Sequence, residues 1–111
     1  MNSIIIISNI IRMSYGKYSI AINQGIRSGD AGILNNNQAV RDYAYNTYRE
    51  MGLTSKQAHA HMDRKDAGHI VARNCGGQNT ASNYMWEDRH DNRAHGDARI
   101  KASEMRRAGR K

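Results

Sequence analysis

Residues 66–96 read DAGHIVARNCGGQNTASNYMWEDRHDNRAHG, and the order of residue types within them decides the fold. The short apolar run over 68–72 fits a strand, Gly76-Gly77 a tight turn or loop, and Tyr84-Met85-Trp86 the returning strand. A final helix is expected to start near Glu87 and to continue to about Arg107 despite Gly96. This order sets His69 in the first strand and carries Asn83 and Asn92, nine positions apart, further along. An imidazole titrates near neutrality and can take a proton from water, while an amide oxygen is a neutral ligand for a hard cation. No other segment of the chain gathers comparable chemistry.

Upstream, Thr54 or Ser55 caps a helix that ends near Arg64-Lys65 and carries His59 and His61. Two helical positions separated by one residue point about 200° apart, so these histidines read as surface residues rather than joint ligands. Before it, Asn36 or Asn37 caps a helix that runs to about Met51 and stops at Gly52. Val40, Tyr43, Ala44, Tyr48 and Met51 recur along it at helical spacing. Its tyrosines read as core residues with outward hydroxyls, and the competing reading is a stacking platform for bases. Residues 14–36, rich in Gly, Ser and Asn, read as a loop or short irregular strands without chemistry.

Residues 3–11 hold four consecutive isoleucines, too short a run to span a bilayer. The segment lacks the basic start and small-residue cleavage site of a signal peptide, so no membrane partner is expected. It reads as a buried strand or an oligomer contact, and homodimerisation would bury it. Met13-Ser14-Tyr15-Gly16 offers an alternative start to Met1. The expected class is α+β, with an N-terminal strand or loop segment at 1–36 and one domain at 37–111.

At 111 residues the chain suffices for one small core, built without phenylalanine or proline. A formal charge of +7, from 17 Lys and Arg against 10 Asp and Glu, suits a polyanionic partner. The single cysteine, Cys75, cannot form an internal disulfide, so nothing demands an oxidising compartment.

Residues 66–96 resemble the ββα-metal finger of the HNH nuclease superfamily. The nearest branch comprises the non-specific DNA/RNA endonucleases with an Asp-Arg-Gly-His signature and related toxin nucleases. The resemblance covers about a third of the chain and implies a β-hairpin plus helix at about 66–107, preceded by additional helices. It makes His69 the general base, Asn83 the loop-ordering asparagine and Asn92 the metal ligand. Several departures stand beside these matches. The signature arginine is Ala67, the ligand that often precedes the base is Gly68, and Asp88 and Asp91 lie where a later cysteine pair would fall. No structural zinc is expected, since closed zinc sites take four nitrogen or sulfur ligands. Asp97 and Glu104 are candidates for the water-holding glutamate of the branch, without a spacing match.

On a continuous final helix Asp88, Asn92, His95 and Arg99 would share one face. Asp88 could then join Asn92 as a metal ligand, and Arg93 or Arg99 could touch the phosphate; the competing reading is a solvated charged stripe. The tail from 99 to 111 holds six basic residues against Glu104. Arg73, Arg89, Arg99, Arg106 and Arg107 are therefore the expected nucleic-acid contacts, positioning a backbone without reading bases. The function implied is a metal-dependent endonuclease that cleaves DNA, and RNA as a further substrate class, using Mg²⁺ or Mn²⁺ and little sequence preference. The alternative is a non-catalytic nucleic-acid-binding or virion assembly protein that keeps the finger as a scaffold. A toxin nuclease with a separate inhibitor is a third reading. A small, basic chain of this kind suits a phage, virus or mobile element, acting inside a host cell or in a virion.

Overall fold

Helix α1 (Ser3–Ser28) is followed by α2 (Asn37–Glu50) and α3 (Ser55–Met62), and then by strand β1 (Lys65–His69). Two short 3₁₀ turns (Arg73–Cys75 and Ala81–Asn83) lead to β2 (Tyr84–Asp88), α4 (Arg89–His95) and α5 (Ala102–Arg107). This computed structural model describes residues 3–96, 100 and 102–109, with side chains over the same span except 3–15 and 107. Among the described residues the α+β class expected from the sequence takes the form of five helices and one two-stranded antiparallel hairpin.

The N-terminal third differs from the sequence expectation. Ser3–Ser28 is helical rather than loop or strand. Tyr18, Ile22 and Ile26 recur every four residues on one face, and the two isoleucines are buried. Gly25 lies inside the helix because Tyr43 of α2 occupies the space a side chain would need. Close approach of α2 thus offsets the roughly 1 kcal/mol that glycine costs a helix. The side chains of the isoleucine run, and with them the expected oligomer contact, lie outside the described residues.

Local signals account for the next two helices. Asn36 caps α2, its side chain accepting the Ala39 N–H at 2.8 Å. Thr54 caps α3 in a reciprocal box: its hydroxyl accepts from the Gln57 N–H at 3.2 Å, and its own N–H donates to Gln57 Oε1 at 2.9 Å. His61 is not the surface residue expected. It is half-buried, with its ring 5.3 Å from that of Tyr18 and 5.1 Å from that of Tyr48.

The hairpin pairs Lys65 with Asp88, Asp66 with Glu87, Ala67 with Trp86, Gly68 with Met85 and His69 with Tyr84. Its first strand starts three residues before the expected 68–72, since Lys65 and Asp66 are held by partners across the ladder rather than by apolar alternation. Alternation along β2 sends Tyr84 and Trp86 into a core shared by α1, α2 and α3, which includes Ile22, Ile26, Val40, Ala44 and Tyr48. Met85, on the other face, packs with Ile100 and Ala108. Leu34 belongs to the main core, and Tyr18 and Ala31 pack against it.

Asn23, fully buried on α1, treats β2 as a neighbouring strand would. Its Oδ1 accepts the Trp86 N–H at 2.8 Å, and its Nδ2 donates to the Trp86 carbonyl at 2.8 Å and to the Ala108 carbonyl at 2.6 Å. The first helix, the hairpin and the last turn of the chain thus meet on one carboxamide.

The expected single C-terminal helix is two. Gly96, at φ 52°, ends α4 at His95, and α5 begins only at Ala102. Asp88 is a strand residue, so it does not share a helix face with Asn92 and His95; Arg99 lies outside the described residues.

Candidate functional site

The two faces of the hairpin carry different chemistry. His69 closes β1 on the face shared with Tyr84, and the ring centroids stand 4.6 Å apart. Its Nε2 donates to Asn79 Oδ1 at 2.8 Å, because an amide oxygen can only accept. In the neutral ring Nδ1 then carries the lone pair. The loop beside His69 is fastened by Asn83. Its Oδ1 accepts the Val71 N–H at 2.8 Å, and its Nδ2 donates to the Val71 and Gln78 carbonyls, both at 2.9 Å. Gly77 completes the fastening, since the Val71 carbonyl lies against the position a Cβ would take.

Tyr84, under the His69 ring, has its hydroxyl pKa raised by burial, with Arg73 pulling it the other way. Arg73, exposed at the first 3₁₀ turn, is thus a cation on the His69 side of the hairpin. Arg93 is elsewhere: with Arg89 it flanks Asp66, at 3.8 and 3.2 Å from the carboxylate. Arg106 is exposed on α5; Arg99 and the side chain of Arg107 lie outside the described residues.

Under α4 the hairpin presents Asp66, Gly68 and Glu87. Asn92 donates its Nδ2 to Asp66 Oδ2 at 3.1 Å. A Cβ on Gly68 would stand 3.2 Å from Asn92 Oδ1 and would collide with Glu87 Oε1, so two oxygens converge where Gly68 lacks a side chain. Asp88 does not join them. It leaves β2 on the opposite face from Glu87 and pairs with Lys65 Nζ at 3.0 Å. The structure brings Asn92 near Gly68 and Glu87, holds Asp88 apart, and sets His69 against Asn79 and Tyr84.

Glu87 carries no signal in the sequence, and Glu104 has no spacing match there. Glu87 is buried, and His95 Nε2 lies 3.0 and 3.2 Å from its two carboxylate oxygens. Glu104, brought back by α5, places Oε1 3.6 Å from the same nitrogen. Burial raises the Glu87 pKa to about 8, and the neighbouring Glu104 carboxyl adds to the rise while His95 opposes it. Burial alone would lower the His95 pKa, but the hydrogen bond and charge of Glu87 outweigh it and raise it. The three groups hold protons jointly rather than one by one. A cavity of about 260 Å³ is lined by Glu87 and Glu104, together with Ser19, His61, Lys65 and Asp88. The signal that could have found the cluster is the Gly96 interruption, which allows a later glutamate to fold back.

No family model, no curated protein and no solved structure matches this chain. Among the described residues no helix is long and apolar enough to cross a membrane.

Proposed function

We propose that the chain is a divalent-metal-dependent endonuclease that hydrolyses DNA phosphodiester bonds, and RNA as a further substrate class, with little sequence preference. The observation that carries this reading is the setting of His69. It ends the first strand of a hairpin that leads directly into a helix, its tautomer is fixed by Asn79, and the loop beside it is fastened by Asn83. A general base needs an oriented lone pair within reach of water, and Nδ1 makes no hydrogen bond among the described residues. In this reading Nδ1 takes the proton of a water whose oxygen bonds to phosphorus as the bond to the leaving oxygen breaks. Arg73, on the same side, offsets phosphate charge in place of the signature arginine absent at Ala67. Arg89, Arg93 and Arg106 contribute backbone contacts that carry no sequence information.

A divalent ion such as Mg²⁺ or Mn²⁺ belongs to the reading, and its task would be to offset charge on the scissile phosphate. The donor pair expected for it, Asn92 with Asp88, does not converge, because Lys65 holds Asp88 on the opposite face.

A second reading, a nucleic-acid-binding or assembly protein without turnover, draws on one observation: Arg89, Arg93 and Asn92 all spend contacts on Asp66. A supercoiled-plasmid nicking assay separates the two. Metal-dependent nicking that EDTA and His69→Ala abolish supports the nuclease. DNA binding with no nicking under Mg²⁺ or Mn²⁺ supports the scaffold.

A further inference from the structure

Metal-ligating types from three separate elements meet at one point: Glu87 from β2, His95 from α4 and Glu104 from α5. One donor atom from each lies within 4.8 Å of the other two. Ligands about 2.0–2.2 Å from a tetrahedral ion stand about 3.3–3.6 Å from one another. The His95 Nε2 separations of 3.0 Å to Glu87 and 3.6 Å to Glu104 already bracket that spacing.

A buried Glu–His–Glu group could instead be a self-contained hydrogen-bond network. Glu104 argues otherwise. It is 9% exposed, and its Oε1, on the His95 side, is buried without a hydrogen-bond partner. Leaving a buried carboxylate oxygen unsatisfied is costly, and such groups call for a missing partner such as an ion. Gly68 adds room: any side chain there would run into Glu87 Oε1. Glu87 and Glu104 both line the neighbouring cavity, which supplies space for a water or a ligand oxygen in an open coordination position.

We propose that Glu87, His95 and Glu104 form a three-ligand site for a transition-metal dication of the zinc class, with one position left open. The imidazole decides the class. Mg²⁺ takes oxygen ligands in octahedral geometry and keeps its waters, whereas an imidazole with two carboxylates suits Zn²⁺ and its neighbours. Three protein ligands plus one open position differ from the closed four-ligand sites whose cysteines this chain lacks. The site takes neither Asn92 nor Asp88 as a ligand and does not depend on whether His69 supports cleavage.

The test is titration of chelator-stripped protein with Zn²⁺ by calorimetry, with retained metal counted after desalting. A Cys75→Ser background removes the exposed thiol as a competing ligand. The expected result is one saturable equivalent that excess Mg²⁺ fails to displace. Glu104→Gln and His95→Gln should each weaken binding by about tenfold to a hundredfold or more, while His69→Ala binds as the parent does. Circular dichroism confirms folding of each variant, and Glu104→Asp serves if the glutamine variant is unfolded, since shortening the ligand should also weaken binding. Absence of saturable Zn²⁺ binding would overturn the proposal. So would affinity unchanged in folded Glu104→Gln and His95→Gln, or equal competition by Mg²⁺. Because His69→Ala retains the site, loss of cleavage and loss of metal binding are read independently.

Discussion

Replacing Asn23 by leucine keeps the bulk of the side chain and removes every hydrogen bond it makes. Three backbone groups lose their partner at once: the Trp86 N–H, the Trp86 carbonyl and the Ala108 carbonyl. A buried backbone group left unpaired costs about 1–3 kcal/mol, and partial relaxation lowers the sum, so Asn23→Leu should destabilise by about 3–5 kcal/mol. A domain of this size is stable by roughly 5–15 kcal/mol, so the loss removes a large share of it. In urea, with a slope of about 2 kcal/mol per molar, the midpoint should fall by about 2 M. Gln24→Leu, one position along on the exposed face of α1, is the control and should move stability by no more than about 0.5 kcal/mol. Asn23→Asp adds a directional check. A carboxylate facing two carbonyls repels them, whereas the protonated acid can donate to one, so this variant should gain stability on acidification relative to Asn23→Leu. A fall of less than about 1 kcal/mol for Asn23→Leu would refute the reasoning, because a strand edge that survives without its amide was not held by it.

Other perturbations read other parts of the molecule. Tyr48→Phe deletes the acceptor of the buried Trp86 indole N–H, a 2.9 Å bond, and should cost about 1–3 kcal/mol in the same urea assay. Asn83→Ala should lower nicking while shifting the midpoint by about 1–2 kcal/mol, since its three bonds fasten a loop at the surface; proteolysis within residues 70–83 should rise in parallel. In the metal-free protein, melting temperature should fall as pH rises from about 5 through 8. The folded Glu87 holds its proton up to about pH 8 and the unfolded chain releases it near 4.5, so the folded state binds more protons across that window. His95, also raised, contributes in the same direction, and His61, lowered by burial, opposes it only on the acid side of 6.5. Glu87→Gln should flatten the slope, and an unchanged slope would remove Glu87 as its source.

What could be read from the sequence was what is decided locally. Asn36 and Thr54 mark helix starts because a cap acts on the three residues that follow it, and β2 announces itself as an apolar run between turn residues. Helix α1 was not readable. Gly25 is accepted because Tyr43 packs against it, and Asn23 because Trp86 and Ala108 are its partners; all three lie outside α1. The end of the chain misled for the opposite reason. Its side-chain pattern continues through Gly96, and only the backbone turn there makes two helices from one. That turn also hid the Glu87–His95–Glu104 group, whose members share no spacing a regular helix would give. At the candidate site, His69, Asn83 and Asn92 are legible through their order and spacing, while Asn79, the hydrogen-bond partner of His69, carries no signal of its own.

Ile20 and Arg27 on α1 both touch Gly109, the first against its backbone and the second through a 2.8 Å bond to its carbonyl. The bond joins positions 82 apart in the chain. Closing so long a loop costs entropy and slows folding, so the second half of α1 and the turn at Gly109 are expected to gain and lose their order together, and a cut anywhere between them should loosen both.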